Sequence, residues 1–515
     1  MWDNRYINEL LNRRHIASLG GGTERIKKQH ASGKLTARER LEKLFDKNTF
    51  VEIDSFIKSP HTDFQMNEKA VIGDGVVTGH GLIDGRVVYA SSQDFTVIGG
   101  TLGEYHSRKI CHAMDLALET RSPFISINDS GGARIEEGIS SLDGYSSIFY
   151  RNTLASGVIP QISVILGPCA GGACYSPAIC DFIFMAQKSG KMFITGPGVV
   201  KTVIGEDITV EELGGAQIHS EKSGVNHFVY DNDESCLEGV RKLLSYLPSS
   251  CEENSSIVKD FKYKHRCKLQ DIVSDNAKKA YDVKDVISEI VDTSTFFEVQ
   301  KDFAKNIVIG FARIEGRVVG IVANQPIHMV GCLDVDASDK AARFIRFCDC
   351  FNIPLLTLVD VPGFLPGSEQ EHSGIIRHGA KMLYAYSEAT VPKISVILRK
   401  AFGGAYIAMN SKNTGADMVY AWPIAQMAVM GAEGAVDIIY RREINSADNP
   451  SAKRDELVDQ YNERFMNPYI AAERGYVDEV ILPEETRERV ATAFRVFESK
   501  KVDRKTVKKH GNIPL

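Results

Sequence analysis

The sequence lacks long apolar runs and the cysteine spacings of metal or disulfide sites. A membrane-spanning helix needs about 18 consecutive apolar residues, and no segment reaches that length. The first residues include Asp3 and Glu9 and contain no apolar segment typical of a signal peptide. Cys348 and Cys350 stand in a Cys-Asp-Cys string, which is too short for a zinc ribbon. These absences predict reduced thiols and a cytoplasmic protein.

Nucleotide-binding glycine motifs are also missing. Neither G-x-G-x-x-G nor G-x-x-x-x-G-K-[ST] occurs. The net charge of −6 gives no reason to expect general affinity for nucleic acid or an anionic membrane. Hydrophobic content of 43% and charged content of 25% are typical of globular proteins, and 515 residues predict two domains.

An internal repeat defines the domain organisation. The string Ile83-Asp-Gly-Arg-Val-Val88 recurs 231 residues later as Ile314-Glu-Gly-Arg-Val-Val319. The same shift, without a gap, pairs Gly79 with Gly310, Gly100 with Gly331, Leu102 with Leu333, Ser107 with Ser338, Lys109 with Lys340, Pro123 with Pro354 and Asp129 with Asp360. After a few inserted residues it pairs Pro160–Leu166 with Pro392–Leu398, Gly171–Ala173 with Gly403–Ala405, and Gly196 with Gly431. We therefore expect two domains of one fold, over residues 1–260 and 265–515, with a linker near the polar stretch Pro248–Lys268.

Each half alternates short apolar runs with helical segments. Val87–Ser91, Phe124–Asn128 and Ile162–Gly167 are rich in β-branched residues and predict buried strands. Gly103–Thr120 has its apolar residues on one face and predicts a helix. This order predicts an α/β fold with a mainly parallel sheet, whose ligands bind beyond the carboxyl ends of the strands.

Two glycine-containing turns follow predicted strands in each half. The first half has Asp129–Arg134 and Gly167–Ala173, and the second has Asp360–Phe364 and Arg399–Ala405. Backbone N–H groups, one from each turn, can bind an oxygen that gains negative charge, and one such donor contributes about 3–4 kcal/mol to a transition state. Close packing of a helix on a strand explains a single glycine pair equally well. Two matched sets favour two oxyanion holes, and hence a reaction with two oxyanions.

Several longer strings resemble the β subunits of propionyl-CoA and acetyl-CoA carboxylases. The strings include Lys34–Leu41, Ser92–Thr96, Asn128–Arg134, Gly167–Ala173, Gly374–Lys381 and Phe402–Ala405, and the resemblance runs from about Arg25 to Leu515. It implies two tandem crotonase-like domains of the ClpP/crotonase superfamily, with the ββα-superhelix fold, as CoA carboxyltransferase N-terminal and C-terminal domains. It also implies a homo-hexamer in which the N-terminal domain of one chain faces the C-terminal domain of another.

The reaction that this resemblance implies is transfer of a carboxyl group from carboxybiotin to the α-carbon of a short acyl-CoA, propionyl-CoA or acetyl-CoA. The thioester becomes an enolate and the ureido ring of biotin gains charge, so two oxyanions arise. The chain has no Met-Lys-Met biotinylation site and no ATP-binding glycine loop. We therefore expect biotin on a partner carrier, a partner biotin carboxylase, no metal in this chain and no membrane partner unless the chain serves a decarboxylase.

The resemblance also implies roles for individual residues. The hole for the thioester oxygen would use Ala133, Gly171 and Gly172, and the hole for the biotin carbonyl would use Gly363 or Phe364 with Gly404 and Ala405. Substrate contacts are expected from Ser130, Gly131, Gly132, Arg134, the acyl-pocket residue Tyr145 and the gate residue Ile407. Lys34 and Arg38 are candidates for the CoA phosphates, with a solvated helix as the equal alternative.

Three other functions compete with an acyl-CoA carboxylase. The first is the carboxyltransferase of a methylmalonyl-CoA decarboxylase or transcarboxylase, which uses the same chemistry with other partners. The second is a crotonase-type hydratase or thioester hydrolase that needs no biotin. The third is an inactive scaffold, against which the intact glycine turns in both halves argue.

Overall fold

The protein divides into two compact units that correspond to the two repeats. The computed structural model describes residues 3–265, 268–502 and 509–515, and the units are Met1–Asn254 and Ser255–Leu515. Residues 266 and 267 of the expected linker lie outside the described residues.

Unit 1 is built on a sheet of eight strands. They are β1 (Val51–Ile53), β2 (Val76–Ile83), β3 (Arg86–Gln93), β4 (Phe124–Ser130), β5 (Gln161–Ala170), β6 (Phe182–Ala186), β7 (Lys191–Phe193) and β8 (Phe228–Tyr230). The order is β1-β2-β3-β4-β5-β6-β8, and β7 pairs with the last part of β5. The strands β1, β2 and β3 are antiparallel, and every pairing from β3 onward is parallel.

Helices cover this sheet and position the ends of its strands. They are α1 (Asn4–Ser18), α2 (Thr23–Ala31), α3 (Ala37–Leu44), α4 (Met66–Lys69), α5 (Glu104–Glu119), α6 (Ile139–Ala155), α7 (Tyr175–Ile179), α8 (Pro197–Ile204), α9 (Val210–Gly214), α10 (Ala216–Glu221) and α11 (Asp233–Leu244). The helix predicted for Gly103–Thr120 is α5, which buries Ile110 and Met114 against the core. Helix α3 begins with a capping box in which Thr36 and Glu39 satisfy each other's backbone N–H.

Unit 2 repeats the sheet of unit 1. Its strands are β9 (Phe297–Val299), β10 (Ile307–Ile314), β11 (Arg317–Asn324), β12 (Leu355–Val361), β13 (Lys393–Phe402), β14 (Met418–Ala421), β15 (Gln426–Ala428) and β16 (Glu479–Val480). The order β9-β10-β11-β12-β13-β14-β16, with β15 paired to β13, matches unit 1 strand for strand. The bounds of β2 and β10 differ by the 231 residues of the sequence repeat.

The helices of unit 2 follow the same plan with additions near the end. They are α12 (Leu269–Ile272), α13 (Val283–Ile290), α14 (Val335–Cys350), α15 (Ser368–His372), α16 (Ile375–Glu388), α17 (Gly403–Ala408), α18 (Ala432–Ile439), α19 (Arg441–Ser446), α20 (Pro450–Phe465), α21 (Pro468–Glu473) and α22 (Thr486–Val496). Among all residues that the structure describes, no helix is both long and apolar enough to span a bilayer.

The central strands are buried along their length. Every residue of β4 and β12 is buried, as are most residues of β5 and β13. Strands buried on both faces consist of near-continuous apolar and β-branched runs, which is the pattern that the sequence shows at these places. The predicted α/β fold with two mainly parallel sheets is confirmed, and each predicted strand lies within β3, β4 or β5.

Candidate active site

The first glycine turn of unit 1 follows β4 directly. The Gly131 N–H donates to the Gly99 carbonyl at 2.9 Å, and the Gly132 N–H donates to Ser130 Oγ at 3.1 Å. Gly132 has φ +104°, a conformation that L side chains rarely adopt. The predicted residues Ser130, Gly131 and Gly132 therefore lie in a turn that is held by the Gly99 carbonyl and by the Ser130 side chain.

The turn presents the N–H of Ala133. Leu102 brackets this residue: its N–H donates to the Gly132 carbonyl at 2.9 Å, and its carbonyl accepts from the Arg134 N–H at 2.9 Å. These two bonds fix the backbone on both sides of Ala133. Among the residues that the structure describes, none accepts a hydrogen bond from the Ala133 N–H itself. A fixed donor without a partner is what an oxyanion hole requires.

The second turn of unit 1 lies beside the first. Gly171, with φ +62°, begins the helical turn Gly171–Cys174 that continues into α7. Gly172 is the second residue of that turn, and the first N–H groups of a helical turn have no partner within it. The Ala170 carbonyl oxygen lies 2.9 Å from the Cβ position that Gly132 lacks, so the two turns are in contact.

Unit 2 repeats this arrangement with Phe364 in place of Ala133. The Leu333 N–H donates to the Gly363 carbonyl at 3.1 Å, and the Leu365 N–H donates to the Leu333 carbonyl at 2.7 Å. As with Ala133, the Phe364 N–H finds no acceptor among the described residues. Of the two alternatives, Gly363 and Phe364, the hydrogen-bond pattern makes Phe364 the equivalent of Ala133.

The second turn of unit 2 begins α17. Gly403 has φ +59° and starts the helix, Gly404 is the second helical residue and Ala405 the third. A Cβ added to Gly404 would meet no atom within 4 Å, so open space lies in front of this residue. Val361, at the end of β12, pairs with Ala401 of β13, which brings the two turns of this unit to the same edge of the sheet.

In each unit a buried aspartate near the end of a central strand forms ion pairs beside the two turns. In unit 1 the Asp129 carboxylate accepts from Lys34 Nζ at 2.9 Å and from Arg40 Nη1 at 3.0 Å, and Arg40 Nε binds Asp233 at 2.8 Å. In unit 2, Asp360 pairs with Arg399 at 3.1 Å. Each aspartate is the last residue but one of a central strand. These ion pairs therefore hold the strand ends at which the turns begin.

The remaining predicted residues occupy several environments. Tyr145 is 4% exposed, and its ring packs against the turn, 3.1 Å from the Cβ position of Gly172. Burial raises the pKa of Tyr145 above its usual value. Ile407, on α17, is 46% exposed. Lys34 is 9% exposed and held by Asp129, and Arg38 binds both oxygens of Glu52 at 2.6 and 2.9 Å. Binding of CoA phosphates by these two cations stays a prediction.

Sequence reasoning missed two sets of buried partners, those of Arg134, from which a substrate contact was expected, and those of Lys340. Arg134 is fully buried and bonded to Asp74 and Glu137. Lys340 donates to four backbone carbonyls, among them those of Phe303 at 2.7 Å and Ile307 at 2.8 Å, and burial lowers its pKa to about 7. The match of Lys109 with Lys340 in the repeat was the available signal for the second set, because a lysine kept in both halves on an apolar helix face needs a buried partner.

Comparison with known proteins identifies the family. The family model described as "Carboxyl transferase domain" matches residues 28–513. The chain is 56% identical over 511 residues to the carboxyltransferase subunit of propionyl-CoA carboxylase from Haloferax mediterranei, and 55% identical over 518 residues to the α subunit of methylmalonyl-CoA decarboxylase from Propionigenium modestum, with 99% of each chain covered.

A solved structure shares the whole architecture. It is the transcarboxylase 12S hexamer with methylmalonyl-coenzyme A and methylmalonic acid bound, which superposes with a TM-score of 0.96 at 54% identity over 99% of this chain and 98% of that one. The expectation of two tandem crotonase-like domains is thereby confirmed. With a family model that spans nearly its full length and relatives above half identity, the chain belongs to the carboxyl transferase family.

Proposed function

We propose that this carboxyltransferase is the subunit of a biotin-dependent acyl-CoA carboxylase that moves a carboxyl group from carboxybiotin to the α-carbon of a short acyl-CoA. The observation that carries the proposal is the repeated pair of backbone donors: Ala133 with Gly172 in unit 1, and Phe364 with Gly404 in unit 2. A hydratase or thioester hydrolase develops one oxyanion and needs one such pair. Carboxyl transfer develops two, and this accounts for the second pair.

Each pair has its own task in the proposal. The Ala133 and Gly172 N–H groups bind the thioester oxygen and stabilise the enolate, and the Phe364 and Gly404 N–H groups, with Ala405 beside them, bind the carbonyl oxygen on the biotin side. When bound, biotin would supply the ring nitrogen from which the carboxyl group leaves and to which the α-proton could go. The open space in front of Gly404 leaves this turn accessible to an approaching oxygen. No side-chain base is required of this chain.

Propionyl-CoA is the substrate that the names of the relatives indicate. The names propionyl-CoA carboxylase and methylmalonyl-CoA decarboxylase describe two directions of one conversion, because a carboxyl group added to the α-carbon of propionyl-CoA gives methylmalonyl-CoA. Acetyl-CoA remains the alternative, since one methylene changes specificity by only about 1–3 kcal/mol. In this proposal units 1 and 2 are the N-terminal and C-terminal CoA carboxyltransferase domains.

The proposed enzyme acts as a homo-hexamer with separate partners. The transcarboxylase 12S structure is a hexamer, and the similarity of the two chains over their full length supports the same assembly here. Biotin would be attached to a partner carrier and carboxylated by a partner biotin carboxylase, because this sequence contains neither a biotinylation motif nor an ATP-binding glycine loop.

One assay tests the proposal. The purified chain is mixed with a carboxylated biotin carrier and with acetyl-, propionyl- or butyryl-CoA, and the carboxylated thioester is measured. We expect methylmalonyl-CoA to form fastest, and only when both carrier and thioester are present. Hydration or hydrolysis of an acyl-CoA without biotin would contradict the proposal and select a crotonase-type enzyme instead.

A methylmalonyl-CoA decarboxylase or transcarboxylase is the second candidate. Relatives with these activities are as similar to this chain as the carboxylases are, at 55% identity. The partners distinguish the alternatives: co-purification with a biotin carboxylase supports the carboxylase, and co-purification with a membrane-bound decarboxylase subunit supports the decarboxylase.

A further inference from the structure

Arg134 follows the proposed oxyanion donor Ala133 directly, yet its side chain is completely buried. Its relative exposure is 0%, so the guanidinium does not reach the surface at which a substrate would lie. A buried arginine costs several kcal/mol of desolvation unless carboxylates and carbonyls surround it. Its partners therefore indicate what the side chain does.

The guanidinium binds two carboxylates and one carbonyl. Nη1 donates to Asp74 Oδ1 at 2.8 Å and to Glu137 Oε1 at 2.7 Å, and Nη2 donates to the Thr101 carbonyl at 3.1 Å. Thr101 directly precedes Leu102, whose backbone brackets Ala133. The Arg134 side chain thus returns to the same segment that its own backbone N–H binds, and this closes a ring of contacts around the Ala133 peptide.

The two carboxylates tie this ring to the rest of unit 1. Glu137 Oε2 accepts from the Glu104 N–H at 2.7 Å, at the start of α5, and Glu137 also contacts Ser59 Oγ at 3.3 Å. The Asp74 carbonyl oxygen bonds His106 Nδ1 at 3.0 Å. Through Arg134, the Ala133 peptide is therefore linked to α5 by two contacts, one by way of Glu137 and one by way of Asp74.

The positions of unit 2 that match this triad in the repeat carry other residues. At the repeat shift of 231 residues, Leu365 stands for Arg134, Lys305 for Asp74 and Ser368 for Glu137. The corresponding loop is held by a neutral amide: Asn306 Nδ2 donates to the Cys332 carbonyl at 2.8 Å and to Asp334 Oδ1 at 3.0 Å. The fold does not require a buried arginine at this position, which leaves a role specific to the donor pair of unit 1.

We infer that Arg134, with Asp74 and Glu137, is a positioning residue that holds the Ala133 N–H in line with the thioester oxygen, and that it does not contact substrate. The inference rests on the proposed carboxyl transfer. A donor that moves by about 1 Å loses about 100-fold in rate without losing ground-state affinity. Loss of Arg134 should therefore lower kcat and leave KM for the acyl-CoA unchanged.

The test uses the reverse reaction of the full chain, transfer of the carboxyl group from methylmalonyl-CoA to free biotin, with propionyl-CoA as the measured product. Arg134→Met should lower kcat about 100-fold and leave KM for methylmalonyl-CoA within about twofold. Arg134→Lys, which keeps the charge, should recover about one-tenth of the parent kcat. Glu137→Gln, a milder change, should lower kcat about tenfold, and it decides the question if Arg134→Met does not fold.

Arg241 provides the matched control. It also binds two carboxylates and one carbonyl, Asp46 and Asp84 at 2.8 Å each and the Leu44 carbonyl at 2.8 Å, but at the β2–β3 turn on the opposite edge of the sheet. Arg241→Met should lower the melting temperature and keep kcat.

Three results would overturn the inference: kcat of Arg134→Met within threefold of the parent, an equal loss of kcat in Arg241→Met, or a rise of KM with constant kcat. An inactive parent chain would instead contradict the proposed function and, with it, this inference.

Discussion

Replacement of Gly404 by alanine should lower the activity of the protein without lowering its stability. Gly404 lies in the first turn of α17 with φ outside the left-handed region, and an added Cβ meets no atom within 4 Å. Alanine should therefore fit without strain, and a compatible Gly→Ala change stabilises a protein by about 0.4–1 kcal/mol. The added methyl group would occupy the space from which an oxygen approaches the N–H. Loss of one oxyanion donor lowers kcat by about 100- to 1,000-fold.

The assay compares kcat for carboxyl transfer and the melting temperature of Gly404→Ala with those of Gly198→Ala. Gly198 is also the second residue of a helix, α8, and a Cβ there also meets nothing within 4 Å. We expect both variants to melt at or above the parent temperature, and only Gly404→Ala to lose activity. If Gly404→Ala keeps the parent kcat, the open space is not a binding site and the proposed hole of unit 2 does not exist.

Three further predictions concern stability, pH and specificity. Lys34→Met should remove one buried partner of Asp129, lower the free energy of unfolding by about 3 kcal/mol and lower the melting temperature by about 6 °C. A raised KM for acyl-CoA with an unchanged melting temperature would instead support binding of CoA phosphates by Lys34. Burial holds the pKa of His106 well below its usual value, so below about pH 6.5 the unfolded chain binds a proton that the folded chain does not, and stability falls by about 1.4 kcal/mol per pH unit. Calorimetry should find this loss reduced in His106→Gln. Ile407→Ala should raise kcat/KM for butyryl-CoA relative to propionyl-CoA by about tenfold, and no change in that ratio would remove Ile407 from the acyl pocket.

The fold was predictable because the repeat and the strand pattern are local and redundant. A series of matched residues at one shift indicates duplication without any knowledge of contacts. Short β-branched runs between turns identify β3, β4 and β5 to within a few residues, since buried parallel strands tolerate few polar side chains. The glycine turns were found in the same way, by their repeated spacing after strands.

The charged partners were not predictable from the sequence. Arg134 binds Asp74, which is 60 residues away, and Lys34 binds Asp129, which is 95 residues away. Nothing in the local sequence distinguishes these buried cations from solvent-exposed ones. A substrate contact was therefore expected of Arg134, and either CoA phosphates or solvent was expected around Lys34. Only the tertiary fold shows that their charges are already neutralised within unit 1.

The central claim is that paired backbone N–H groups bind the oxygens of the reacting groups. A crystal structure of the chain with methylmalonyl-CoA and biotin bound tests it most directly. The account predicts the thioester oxygen about 2.7–3.1 Å from the N atoms of Ala133 and Gly172, and the biotin carbonyl oxygen equally close to those of Phe364 and Gly404. Oxygens bound by side chains or water, with these N–H groups directed elsewhere, would contradict it.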